Sequence, residues 1–239
     1  MSHVLGKDAS SRQVAQAARH SFRNYYKYVI DFLRLPYQDP AEMEKQMHFS
    51  GWENLEEAFK KGRGVILVGL HFGTWDLAAA AVVRRKFPVN VIFEDVPNNR
   101  LNRMAQEVRE GQGMKTIPLG NPAQLVRALR RNEMVALLID QPHSSASVPV
   151  DLFGGRAMIP SGAAALALRT GAQVIPGALV RVNGNSYKGF IDSEVGIQPT
   201  GNAQEDVRAL TQQIVSSLEG MVRQYPDQWY VFRRLWSES

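Results

Sequence analysis

From Ser10 to Pro36 the apolar residues Val14, Ala18, Phe22, Tyr25, Val29 and Phe32 recur every three or four positions. That period predicts one long helix, capped by Ser10 or Ser11 and stopped by Pro36. Arg12, Arg19, Arg23 and Lys27 fall on its other face. The expected place for the apolar stripe is against a core; a membrane interface is the competing reading. Asp39-Pro40 opens a short helix, with the aspartate as N-cap and proline at the first helical position. "SGWENLEEAFKKG" makes another, ended by Gly62.

Beyond residue 62 the pattern alternates. "GVILVGL", "VNVIFE", "MKTIPL" and "MVALLID" are short apolar runs, separated by the helical patterns "TWDLAAAAVVRRK", "NRLNRMAQEVREG" and "NPAQLVRALRRN". Apolar strands alternating with helices imply parallel pairing, with helices covering both faces. "QPHSSASVP" has no period and reads as a loop, and "VPVDLF" as a strand. "PSGAAALALRTG" reads as a helix, and "AQVIPGALVRV" and "SYKGFIDSEV" as strands joined by the turn "NGN". A long amphipathic helix follows, and "QWYVFRRLW" closes the chain as a strand. The expectation is an α/β fold: a mixed, mostly parallel central sheet of about seven strands with helices on both faces. Neither repeat nor linker interrupts it, so 1–239 reads as a single domain, with a helical N-terminal part over 1–62 and an α/β core over 63–239.

Composition adds three constraints. A hydrophobic content of 44% and a charged content of 21% over 239 residues are those of a globular chain with a sizeable core. With no cysteine, disulfides and thiolate metal sites are excluded. A net charge of +5 suggests an anionic partner such as nucleic acid, phospholipid or a phosphorylated substrate, against the plain reading of a basic soluble surface. The longest apolar runs, such as "LAAAAVV", fall far short of the roughly 20 residues that span a bilayer.

Open α/β sheets bind ligands beyond the carboxyl ends of their strands. His71, Glu94 and Asp140 stand just past three of the expected strands, and three ionisable groups so placed favour a site. "HFGTWD" adds Asp76 five residues after His71. Residues five apart inside one helix point about 140° from each other. The two can pair only if His71 lies in the strand-to-helix turn and Asp76 in the helix's first turn. Gly73 permits that turn and Thr74 is a plausible N-cap. Asp76 would then accept the Nδ1–H and leave Nε2 as a general base. The alternative is that Asp76 complements the helix dipole and His71 is merely a satisfied polar residue. No nucleophile elbow, phosphate loop or zinc-protease motif is present. A metal-dependent hydrolase using His71, Asp76, Asp140 and His143 and a non-catalytic basic protein binding lipid or nucleic acid stay open as rival readings.

"HFGTWD" after an apolar strand resembles the H-x4-D/E motif of the glycerolipid and lipid A acyltransferases. "LLIDQ", "VDLFGGRAMIPSGAAALALRTGAQVIPG" and the tail "YPDQWYVFRRLW" follow in the order seen in the bacterial subgroup of lipid A lauroyl/myristoyl and phosphatidylinositol mannoside acyltransferases. The likeness runs over nearly the whole chain. It implies a glycerolipid acyltransferase-like domain in which His71 is the catalytic base and Asp76 its acidic partner. Glu94 and Arg109 fall where the mannoside acyltransferases carry a glutamate and an arginine of the site. Asp151 resembles a later acidic position, after a loop of different length. Asp140 resembles the first aspartate of a "DxD"-like segment, which here reads "DQP".

The implied activity is transfer of a fatty acyl chain from acyl-CoA or acyl carrier protein to a hydroxyl of a glycolipid or phospholipid. The resemblance implies neither cofactor nor metal. It implies an anionic membrane surface rather than nucleic acid as the further partner, and the cytoplasmic face of the plasma membrane as the location. Membrane contact is expected at basic clusters such as Arg84-Arg85-Lys86, Arg130-Arg131 and Arg233-Arg234, with exposed aromatics. Family members begin with several tens more residues, including a hydrophobic helix. "MSHVLGKDASS" resembles a segment that follows that helix, so a shortened amino terminus is expected.

Overall fold

A computed structural model describes residues 1–93, 98–141 and 146–236. In chain order the elements are α1 (Ser2–Leu5), α2 (Ser11–Arg34), α3 (Pro40–Gln46), β1 (Met47–Ser50), α4 (Trp52–Lys60), β2 (Val65–Gly69), α5 (Trp75–Arg84), β3 (Val89–Phe93) and α6 (Asn99–Gly111). They continue with β4 (Lys115–Pro118), α7 (Pro122–Arg130), β5 (Met134–Leu138), β6 (Ser147–Leu152), β7 (Gly155–Pro160), α8 (Gly162–Thr170), β8 (Gln173–Asn183), β9 (Ser186–Ile191) and α9 (Ala203–Gln224).

Seven strands form one mixed sheet in the order β1-β9-β8-β2-β5-β3-β4. Every neighbouring pair is parallel except the β8–β9 hairpin. The α/β class and the mostly parallel sheet are those expected from the alternating pattern. The apolar faces of the strands bury two layers. One contains Ile66, Val68, Val135 and the inner faces of α7, α8 and α9. The other contains Val65, Val91, Met134, Ile175 and the inner faces of α2, α4 and α5.

Three elements depart from the sequence reading. β1 lies inside the region expected to be helical, because "MHFS" is too short for its alternation to register; it pairs with β9, far along the chain. β6 does not join the main sheet. It pairs with β7 in a separate antiparallel ribbon that packs on α9. The tail "QWYVFRRLW" forms only isolated bridges, Phe72 with Trp229 and Ala157 with Trp236, rather than a strand.

α2 is the expected long helix. Ser10 caps it through a reciprocal pair with Gln13, Ser10 Oγ accepting from Gln13 N and Gln13 Oε1 accepting from Ser10 N. Its inner face carries Ser21, Tyr28, Asp31 and Phe32. Ser21 Oγ donates to the Trp229 carbonyl at 2.9 Å. Asp31 pairs with Arg181 of β8 and accepts from Tyr187 of β9. Burial, with the Asp31 charge beside it, pushes the Tyr187 hydroxyl up to about 12. These polar pins fix which side of α2 faces the sheet.

Candidate active site

The parallel pairing of β2 with β5 decides the centre of the site. Gly69 lies opposite Leu138 in the register. Two residues further along each strand, His71 and Asp140 are therefore opposite one another. Asp140 is completely buried. Its Oδ1 is 2.7 Å from His71 Nδ1, and its Oδ2 accepts the His71 backbone N–H at 2.9 Å. Trp229 Nε1 donates to the same Oδ2 at 2.9 Å, and Arg233 donates to the Asp140 carbonyl. Burial disfavours the Asp140 carboxylate; the bonds from the His71 ring, the indole and the His71 N–H outweigh it and hold the group below its usual range. An ionised carboxylate only accepts, so Nδ1 carries the proton and the Nε2 lone pair is free.

The Asp140 carboxylate is thus a stabilising charge with a defined pH window. Its folded pKa is depressed, so its contribution is complete above the unfolded value of about 4 and is lost as pH falls through the folded value. The stability gap between wild type and Asp140→Asn, from urea unfolding, should therefore hold steady above about pH 5 and narrow as the pH falls below about 4. A constant gap would remove the carboxylate's charge as the cause.

The turn 71–74 is held from two sides. Gly73 has φ 67 and donates its N–H to the Gln228 carbonyl, while Thr74 N donates to Leu179 O. A side chain at position 73 would put its Cβ 2.0 Å from Leu179 O, so only glycine allows the turn to lie against β8. Thr74 does cap α5 by position, but its hydroxyl goes to Leu179 O rather than to the helix. Tyr230 N donates to the His71 carbonyl, so the 228–230 segment fastens the histidine's backbone as well as its carboxylate. The N–H groups of Phe72, Gly73 and Thr74 are all spent on carbonyls, so the turn offers none of them to an oxyanion.

Asp76 is where the geometry corrects the sequence reading. It sits in the first turn of α5, as expected, and is buried. Its hydrogen bonds, however, go to other groups. Arg109 of α6 donates Nε to Oδ1 at 2.8 Å and Nη2 to Oδ2 at 3.4 Å, and Tyr28 of α2 donates its hydroxyl to Oδ2 at 2.7 Å. The partner of His71 Nδ1 is Asp140. The reason is directional: α5 turns the Asp76 side chain toward α2 and α6, whereas the β2–β5 register brings Asp140 to the imidazole. Burial and the neighbouring Asp76 charge push the Tyr28 hydroxyl well up. Arg109, whose burial alone would lower it, is held above its ordinary range by Asp76.

Of the remaining candidates, Glu94 and His143 lie outside the described residues. Asp151 is exposed on β6, bonded through its backbone to Gln212 of α9, and does not line the cavity into which His71 opens. Among the described residues no three His, Asp or Glu groups assemble as a metal site; Asp76 and Asp140 are committed to the partners above.

That cavity encloses about 610 Å³ and is lined chiefly by apolar side chains. It runs across the sheet on the α2–α5 side: Phe49, Ile191, Leu179, Leu67, Ala136 and Val91 line it, one from each of six adjacent strands. Five interstrand spacings of about 4.8 Å make a slot of about 24 Å. His71 and Trp75 stand near its middle, with Tyr28, Asp76 and Arg109 also in the wall. One end reaches the exposed Leu101, Met104 and Leu119; the other ends at Phe49, against Gly189, where a Cβ would come within 2.0 Å of the ring. Nothing in the linear pattern announced this slot, because its walls come from strands that are not consecutive in the chain.

Comparison with known proteins agrees in kind. The model of the family described as bacterial lipid A biosynthesis acyltransferase matches residues 1–238. The chain is 27% identical over 223 residues to a phosphatidylinositol mannoside acyltransferase of Mycolicibacterium smegmatis, covering 91% of this chain and 71% of that protein. It is 26% identical over 226 residues to a phosphatidylinositol mannoside acyltransferase of Mycobacterium tuberculosis H37Rv, covering 90% and 69%.

Proposed function

Because the chain belongs to the bacterial lipid A biosynthesis acyltransferase family, we propose that this lipid acyltransferase uses His71 as a general base to transfer a fatty acyl chain from a thioester to a hydroxyl of a glycolipid or phospholipid acceptor. The single observation that carries the reading is the His71–Asp140 pair opening at the middle of a long apolar slot.

His71 Nε2 takes the acceptor hydroxyl proton as the oxygen attacks the thioester carbonyl carbon. The tetrahedral intermediate collapses with cleavage of the C–S bond, and the leaving thiolate takes the proton back from the imidazolium. Asp140 holds the imidazole and stabilises its cationic form. No acyl-enzyme is needed, in keeping with the absence of a cysteine or a serine elbow. Asp76, tied to Arg109 and Tyr28, joins α5 to α6 and α2 around the slot. It shapes the site rather than orienting the histidine. The donor is acyl-CoA or acyl carrier protein. A phosphorylated, sugar-bearing lipid of the phosphatidylinositol mannoside or lipid A kind is the acceptor, reached at the cytoplasmic face of the plasma membrane. The test is transfer of label from acyl-CoA to extracted bacterial lipids by wild type and His71→Ala; equal transfer by the two would overturn the mechanism.

The arm of the slot that runs to Phe49 is the place for the acyl chain, since its apolar walls favour hydrocarbon over water. Phe49 stands at its end and is shared with a second pocket of about 60 Å³ beside Met47, Trp52 and Arg84. Phe49→Ala would join the two spaces. The expected result is a shift of preference toward longer chains in a graded series of saturated acyl-CoAs, because each methylene buried is worth about 0.8 kcal/mol. An unchanged preference would place the chain in the other arm.

A further inference from the structure

The 24-residue helix α2 has two apolar faces, and only one is used. Ser21, Tyr28, Asp31 and Phe32 are buried against the sheet and the C-terminal segment. On the opposite side Phe22, Ile30 and Leu33 are exposed, Tyr26 is 66% exposed, and Tyr37 just beyond the helix is 89% exposed. Arg12, Arg19, Arg23, Lys27 and Arg34 are exposed beside them. At 3.6 residues per turn, the residues from Arg12 to Arg34 in these two sets share a sector of about 140°. The only acid of the helix, Asp31, is turned inward to Arg181. The outer face therefore presents large apolar side chains and cations, with no carboxylate of α2 among them.

The position of the face adds a second argument. Phe22 stacks on Phe232 with ring centroids 4.3 Å apart, and Phe232 and Tyr25 line the active-site slot. The exposed face thus continues into the wall of the slot. By contrast, each basic cluster suggested by the sequence has a member tied to the protein itself. Arg84 donates to Gln112, Arg131 pairs with Glu133 and Arg233 donates to the Asp140 carbonyl.

We propose that the outer face of α2, from Arg12 to Tyr37, docks on an anionic phospholipid bilayer, its aromatic and aliphatic side chains in the headgroup–acyl boundary and its arginines and lysine on the lipid phosphates. Exposed apolar residues interleaved with cations match that interface and no aqueous one: each cation gains from the negative surface potential while the rings leave water. Docked this way, the protein holds its slot beside the bilayer, so the lipid acceptor reaches the slot from the bilayer past Phe22 and Phe232. The proposal refines the membrane-surface part of the reading above, but docking is measured without turnover, so each can fail alone.

The experiment is flotation of the full chain with phosphatidylcholine vesicles, with and without phosphatidylglycerol. Wild type should float with the phosphatidylglycerol vesicles, and added salt should weaken the binding. Arg19→Gln/Arg23→Gln/Lys27→Gln should bind about a hundredfold more weakly, each cation being worth about fivefold near an anionic leaflet. Tyr26→Ser/Ile30→Ser, at exposed positions outside the catalytic machinery, should also lose binding while keeping the wild-type circular dichroism and transfer to a detergent-solubilised acceptor. Arg169→Gln/Arg208→Gln, on α8 and α9 across the sheet, should bind as wild type. Equal binding by the α2 variants and wild type would overturn the proposal. So would a wild-type dimer in solution that the Tyr26→Ser/Ile30→Ser change dissociates, since a second copy would then be the occupant of the face.

Discussion

Asp140→Asn is expected to fold and to lose about three to four orders of magnitude in acyl transfer, close to the loss in His71→Ala. The argument rests on which end of the side chain the protein can accept. Two N–H donors, the His71 backbone and Trp229 Nε1, point at the Oδ2 position. Only the oxygen of the substituted amide can meet them, so its amino group must face His71 Nδ1. Nδ1 then has to accept, the ring proton moves to Nε2, and the nitrogen that should take the acceptor's proton is already protonated. Shape and hydrogen bonding survive while the base does not. Purified variants assayed for initial rates with labelled acyl-CoA check this. An Asp140→Asn rate within tenfold of wild type would return the orienting role to another group.

The largest stability effect is expected at Arg109→Met. Asp76 is 2% exposed and Arg109 18%, so the ion pair is nearly dry. Removing the guanidinium leaves a buried carboxylate with, among the described residues, only Tyr28 as donor, and unpaired buried charges of this kind cost about 3–5 kcal/mol. Thermal unfolding should shift down by on the order of 10 °C. Asp76→Asn placed on the same background removes the charge and should recover most of the loss. This makes the coupling energy in a double-mutant cycle large. If Arg109→Met and the double variant unfold at the same temperature, the cost comes from lost packing against Phe32, over whose ring the guanidinium lies at 5.6 Å, rather than from the charge.

Much of this was legible in the chain itself. Strand-length apolar runs separated by helical ones dictated an α/β sheet, since a strand buried on both faces must be apolar at every position and a covering helix only at every third or fourth. Ser10, Asp39 and Pro36 marked helix ends through local hydrogen bonding and a missing N–H, which need no distant partner. His71 stood out because it follows β2, and Gly73 because the turn behind it tolerates nothing larger.

What the sequence could not contain was adjacency. β2 and β5 are neighbours although β3 and β4 lie between them in the chain. The choice of Asp140 over Asp76 as the partner of His71 follows from that register alone, because side chains meet across strand pairing and not along the sequence. The same is true of Trp229, 89 residues from the carboxylate it holds. Periodicity identified the basic residues of α2 and an apolar stripe expected against the core, of which the structure buries Phe32, leaves Val14, Ala18, Tyr25 and Val29 half-buried and exposes Phe22. It had no means of assigning the outer apolar face, because a helix that is apolar on two sides tells how much surface seeks cover and not which side the sheet will supply. Only the docking of α2 through Ser21, Asp31 and Tyr28 decided that, leaving Tyr26 and Ile30 to solvent.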